Sequence, residues 1–270
     1  MVQIIITELH RAFYNKNFLY AILIGSFVCV THVIQNVIPL VPALNSYAFE
    51  YPFSLFNTWI GGNSSNLQTA IYFFLIPIIG TIPHAHSLQY DLHQKFATQL
   101  LIHTKKSYYL VAKIIATWLS AGCAIVIPLI LNLLLTALFM PAVIPEASSL
   151  TFGIFELSMW SNLFYSHPFV YILGYLLIIF TFGGLFCCTA LLTSLFTENK
   201  FAVILTPFLF FILIYFLVAL FFDASYNPMF IMYPSQPLAI NIKTILFEFL
   251  TLLVIIFPIY FIRGMRCEIF

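Results

Sequence analysis

"YDLHQKFATQLLIHTKKSYYLVAK" occupies Tyr90–Lys113 and carries Lys95, Lys105, Lys106 and Lys113, four of the ten Lys and Arg in the chain. No Asp, Glu, Lys or Arg occurs between Glu50 and Asp91, or between Lys113 and Glu146. A basic island between two long uncharged runs reads as a loop between membrane spans. Composition agrees. Charged residues make up 7% of the chain, against about 25% in an ordinary globular domain. So few charges cannot clothe a soluble surface, so lipid must replace water over most of it.

Six segments approach the roughly 20 apolar residues that a helix needs to cross the hydrocarbon. They lie at about 18–40, 67–86, 110–140, 169–194, 202–222 and 244–262. The second is the weakest, with two prolines in "AIYFFLIPIIGTIP". Pro77, Pro128, Pro207 and Pro258 fall inside spans, where neighbouring helices resatisfy the freed carbonyls. The expected fold is an all-α polytopic membrane protein, a single transmembrane domain over 1–270.

With six spans both termini share one side. That side would hold Arg11, Lys16, Lys95, Lys105, Lys106, Lys113, Lys200, Arg263 and Arg266, and the other only Lys243. Basic residues concentrate on the cytoplasmic side, so both termini are expected there. The outer loops 41–66, 141–168 and 223–243 are rich in aromatic residues, Pro and Asn. Trp59 and Trp160 suit the headgroup belt, "GGNSSN" at 61–66 reads as a flexible tip, and Asn63–Ser65 matches a glycosylation sequon.

Read as a helix, the island places Leu88, Leu92, Phe96 and Leu100 on one stripe, with Asp91, Gln94, Lys95 and Thr98 opposite. Asp91 and Lys95 are an i,i+4 pair in the favourable order. Such a helix either rests on the bilayer as a connector or presents its polar side to a cytosolic partner. Ser107 or Thr104 can cap the next span. Near the N-terminus Ile5, Leu9, Ala12 and Phe13 form an apolar stripe, with Glu8, Arg11 and Asn15 elsewhere, as in an interfacial helix.

This order resembles the permease subunits of ATP-binding-cassette transporters of the ABC type-two exporter class. The elements are an amphipathic N-terminal helix, a span, a long outer loop, a second span, a charged helix, and Tyr109-Leu110-x-x-Lys113 opening the third span. Asp91, Ala97-Thr98, Leu100-Leu101, His103 to Ser107 and Ala112-Lys113 stand where the family has an acid, Gly-Thr, Leu-Leu, a polar turn and Gly-Lys. Both glycines are alanine here. The resemblance implies a coupling helix at about 87–103 that docks on an ATPase through Tyr90, Asp91, Leu92, Gln94, Lys95 and Phe96. It also implies a second permease subunit, identical or not. The outer loop between the fifth and sixth spans would form short helices that dip toward the membrane.

No glycine is followed by lysine, so the chain lacks a GxxxxGK[ST] phosphate loop. ATP and magnesium would sit on the separate ATPase subunits, and this chain is read as a non-enzymatic translocation subunit without a cofactor. No basic tract points to nucleic acid. The implied setting is a bacterial cell membrane, with membrane lipids as neighbours and an amphipathic or hydrophobic cargo such as a lipid-like molecule or an antimicrobial peptide. A secondary transporter and a noncatalytic scaffold or immunity protein are the alternatives. Glu248 in "ILFEFLTLLV" is the one acid well inside an apolar run. It either lies near the outer interface, neutral or paired with Lys243, or faces a substrate path. His84 and His86 point to different faces of a helix and would bind metal with His93 only through a special fold. Gly183, Gly184, Cys187 and Cys188 form overlapping small-xxx-small pairs, which favour close helix packing within the subunit, with a dimer contact second. The five cysteines read as packing residues.

Overall fold

The computed structural model describes residues 2–45, 53–94, 104–146, 154 and 158–266. Among these every regular element is helical. The basic island leads into the longest, Lys106–Phe139. In chain order the elements are α1 (Val2–Phe13), α2 (Lys16–His32), α3 (Leu55–Thr58), α4 (Leu67–Thr81), α5 (Ser87–His93), α6 (Lys106–Phe139), α7 (Ser161–Ser166), α8 (Pro168–Thr193), α9 (Lys200–Phe221), α10 (Pro228–Met232) and α11 (Ile242–Arg266). After His32, α2 widens into a π turn, Val33–Val37, and tightens into a 3-10 helix, Ile38–Asn45.

Five helical stretches are long and apolar enough to cross a membrane: Lys16–Leu44, α6, α8, α9 and α11. The chain is thus a multi-pass membrane protein by length and composition. The segment expected to span at 67–86 is shorter. α4 has 15 residues, about 22 Å at 1.5 Å per residue, and Pro83 then offers no amide to extend the ladder.

α6 is the central strut, with α1, α2, α4, α8 and α11 packed along it. Gly183 and Gly184 of α8 face it. A Cβ on Gly184 would lie 2.1 Å from the Trp118 ring and 2.7 Å from the Trp118 carbonyl oxygen, and one on Gly183 would meet Ile125. Gly80 of α4 lies beside Cys187 in the same way. The small-residue face of α8 is therefore occupied inside the chain. Beside Pro128, which interrupts the α6 ladder, the Tyr72 hydroxyl donates to the Ile125 carbonyl.

Several expectations change. Trp59 is a core residue at 1% exposure rather than part of a headgroup belt. Its ring folds over the following turn, where a Cβ on Gly61 would approach it to 2.3 Å, so the start of "GGNSSN" is a close-packed turn. α6 begins after Lys105, which makes no side-chain cap. The seven residues of α5 cover only the first part of the expected coupling helix, and 95–103, with Lys95, Phe96 and Leu100, lie outside the described residues. The outer loop does form short helices, α10 and a 3-10 turn at Ala224–Tyr226. It is pinned by Gln236, whose carboxamide accepts from the Met159 amide at 3.0 Å and donates to the Met159 carbonyl at 2.7 Å.

Gly184→Val is expected to lower the melting temperature in detergent by several degrees, the effect of about 1–3 kcal/mol of overpacking. Leu177→Val on the exposed side of α8 should leave it nearly unchanged. Equal melting temperatures for the two variants would remove the close α6–α8 contact.

Candidate functional site

The charges of one end of the bundle converge on Lys113. Its position two turns into α6, after the uncharged Ser107–Ala112, carries it into the packed interior, where its side chain is 0% exposed. An ammonium there must spend all three of its donors. Nζ lies 2.8 Å from Glu8 Oε2, 2.6 Å from Asp91 Oδ2 and 3.1 Å from Ser87 Oγ.

The acceptors come from different segments. Glu8 shares the inward side of α1 with Ala12, both at 0% exposure. Asp91 sits on the buried side of α5 with Leu88. Arg11, one turn after Glu8, bridges the two acids. It donates to Glu8 Oε1 at 2.8 Å and in a bidentate fork to Asp91, Nη1 to Oδ2 at 3.0 Å and Nη2 to Oδ1 at 2.6 Å. The Tyr109 hydroxyl donates to Asp91 Oδ2 at 2.8 Å, and His84 Nε2 lies 3.2 Å from Glu8 Oε2. Two acids face two bases, so the cluster is neutral. Asn15 adds a seam, donating from Nδ2 to the Pro83 carbonyl at 2.9 Å.

Electrostatics follow the geometry. Burial alone raises the Glu8 carboxyl, but His84, Lys113 and Arg11 outweigh it and hold it at about 2. Burial likewise opposes the Asp91 charge, and Arg11 and Lys113 prevail and keep it below the usual range. Arg11 is raised despite burial by its bond to Asp91. His84 is lowered, chiefly by burial, and stays neutral as a donor to Glu8.

The candidate coupling residues separate. Tyr90 is exposed at 55% and Gln94 is exposed, while Leu92 is half-buried against the core. Asp91 faces inward, where its carboxylate meets Arg11, Lys113 and Tyr109; the expected pair with Lys95 falls outside the described residues. Lys95 and Phe96 are outside the described residues. The expected α1 stripe changes in one respect: Glu8 lies on its buried line beside Ala12. His84 and His86 have separate partners, Glu8 and Asn17, and no metal-binding cluster occurs among the described residues. The connection between α8 and α9 meets α5, where Gln89 Nε2 donates to the Glu198 carbonyl at 2.8 Å and His93 lies 3.6 Å from the Glu198 carboxylate.

Glu248 is 9% exposed, and neither carboxylate oxygen has a hydrogen-bond partner among the described residues. Of the alternatives for Glu248, the pairing with Lys243 is not formed. Compared with protein-family profiles, curated proteins and solved structures, the chain matches none.

The partners of Lys113 were not read from sequence. The available signal was a lysine set inside an apolar run together with Glu8 and Arg11 on one helical turn, and it gives no pairing.

Lys113→Met is expected to destabilise the fold strongly, by about 3–5 kcal/mol, because it leaves two buried carboxylates short of a cation. Adding Asp91→Asn should recover part of that loss, and strictly additive melting temperatures would show that the pair is uncoupled.

Acid should loosen the same cluster. A carboxylate depressed on folding stabilises the fold above its unfolded value, 4.5 for Glu8, and loses that contribution as pH falls through about 2. His84, lowered from 6.5, makes the unfolded chain take up a proton first, so stability also falls below 6.5. The cluster's contribution to the melting temperature should be level above pH 6.5 and decline beneath it. His86, lowered from 6.5 to about 4 by burial, adds to the same decline, so His84→Gln, which keeps a donor toward Glu8, should make the fall between pH 6.5 and 4.5 shallower and leave its onset in place. An unchanged slope would assign the decline to other groups.

Proposed function

We propose that this chain is the membrane-spanning subunit of an ATP-driven exporter of the ABC type-two class. In this reading it has six spans and cytoplasmic termini in a bacterial cell membrane. It works beside a second permease subunit, and cytosolic ATPase subunits hold ATP and magnesium. The observation that carries the reading is the platform at the basic end of the bundle. α1, the 82–86 connector, α5 and the start of α6 are locked together through Lys113 and Arg11. A force applied to α5 therefore passes to the longest spanning helix through buried ionic contacts with little slack. Tyr90 and Gln94 project from that platform, and the α8–α9 connection lies beside it.

The nine-to-one distribution of Lys and Arg supports the orientation. An apolar recess of about 250 Å³ between α8 and α11, lined by Trp160, Ile178, Phe182 and Phe249, supports an amphipathic or hydrophobic cargo over an ion or a sugar. ATPase engagement at α5 would tilt α6 and the helices packed on it.

Asp91 is unsuited to a docking test because its loss would break the internal cluster. Tyr90→Ala with Gln94→Ala is expected to leave the chain folded and inserted, to weaken ATPase copurification in mild detergent, and to abolish ATP-driven export. Wild-type copurification and export in this variant would move the contact away from α5. Isolation of the wild-type chain without any ATPase would defeat the exporter reading itself.

A further inference from the structure

A second polar assembly lies at the opposite end of the bundle, and it contains no charge. Asn132 of α6 is 19 residues beyond Lys113, about 28 Å along the helix, and is 0% exposed. Its Oδ1 accepts from the Ile60 amide at 2.9 Å. That fixes Nδ2 toward the Cys29 carbonyl at 2.9 Å and toward His32 Nδ1 at 3.2 Å. His32 Nδ1 must then accept, so the ring proton is on Nε2. Nε2 lies 3.2 Å from the Asn66 carboxamide nitrogen, and two donors cannot share that contact. A half-turn of the Asn66 carboxamide, indistinguishable in shape, brings Oδ1 to His32 and leaves both N–H donors of Asn66 for the space beyond.

That space is a cavity of about 580 Å³, within the roughly 300–1,000 Å³ of ordinary ligand pockets. Gln35 and Asn36 line it from the π turn that follows His32, the kind of helix widening that often marks a functional site. Asn36 donates to Gln68 Oε1 at 2.9 Å and to the His32 carbonyl at 3.3 Å, and its own Oδ1 has no partner among the described residues. Ser235, at 8% exposure, also lines the cavity and keeps a hydroxyl with no hydrogen-bond partner among the described residues. A ligand that bonds to the Ser235 hydroxyl would relieve the cost of leaving it buried and unpaired. Among the described residues none that lines the cavity is charged.

We infer that this cavity binds an uncharged peptide segment, with the donors of Asn66, the acceptor of Asn36 and the Ser235 hydroxyl paired to its backbone amides. Carboxamide N–H donors and a carboxamide carbonyl are the complements of a peptide group's carbonyl and N–H, and a chain of amides offers both in alternation. Leu40, Phe53, Pro39 and Pro237 supply apolar wall between the polar points for the side chains. A charged ligand would surrender its hydration with no counter-charge. The inference does not rest on the exporter reading, because binding here needs no nucleotide.

The test uses the full chain in lipid nanodiscs without ATP. Trp59 packs against Gly62, which lines the cavity, so tryptophan fluorescence reports occupancy. The probe is an N-acetylated, C-amidated hexapeptide of alanine and serine. Saturable binding is expected. It should weaken about tenfold or more when two aspartates enter the peptide, or in Asn66→Asp, which replaces the carboxamide donors with a carboxylate. Ser64→Trp, on the more open wall, should block the space with the melting temperature unchanged. It keeps the test decisive if Asn66→Asp fails to fold. The inference is overturned if the hexapeptide does not bind saturably, if Ser64→Trp leaves its binding intact, or if maltohexaose binds in its place.

Discussion

A lysine ammonium buried at the end of a long helix cannot be left to itself, and most of the architecture at the basic end answers to that. Removing an ion from water costs several kcal/mol even after relaxation, and only close acids with their remaining lone pairs filled can repay it. Lys113 obtains this from Glu8, Asp91 and Ser87. Each acid in turn carries Arg11 and one neutral donor, His84 or Tyr109. α1 has to lie against α6, and α5 has to fold back beneath α4, for these atoms to meet. α1 is thereby part of the bundle and more than a raft on the bilayer.

The far end is organised by neutral groups. Asn132 ties the turn after α3 to α2 through an amide, a carbonyl and a histidine ring. Gln236 ties the outer loop to Met159 and Tyr171, and does so from a left-handed backbone conformation, φ 39°. A single helix, α6, carries the ionic anchor near one end and the amide anchor near the other. A rigid strut with both ends fixed to different elements is suited to pass movement between two faces of a membrane.

Between the anchors the packing is steric. Gly184 admits Trp118, Gly183 admits Ile125, and Gly25 of α2 lies against Pro128. Dispersion and close backbone approach hold helices together where lipid removes the hydrophobic difference between inside and outside. Glu248 stands apart from all of this, a buried acid whose oxygens meet no donor among the described residues.

Sequence by itself determined the solvent, the helical class and most of the spanning segments, because those depend on the average polarity of windows about twenty residues long. It also pointed to a basic end, since alternating spans assign each Lys and Arg to a side along the chain. α4 came out shorter than its apolar run because one proline decides where a ladder stops. The destinations of single polar side chains were decided only by tertiary structure. Whether Asp91 faces a neighbour on its own helix or Arg11, eighty residues earlier, depends on which helices adjoin, and helical periodicity fixes only the face. Trp59 is the same case: amphipathic chemistry suits it to a headgroup belt, and a glycine pair two residues on lets it fold into the core. Local pattern constrains neighbours within a turn or two, whereas a buried ion, a carboxamide bridge or a ring over a glycine is satisfied by atoms that only the fold brings within 3 Å.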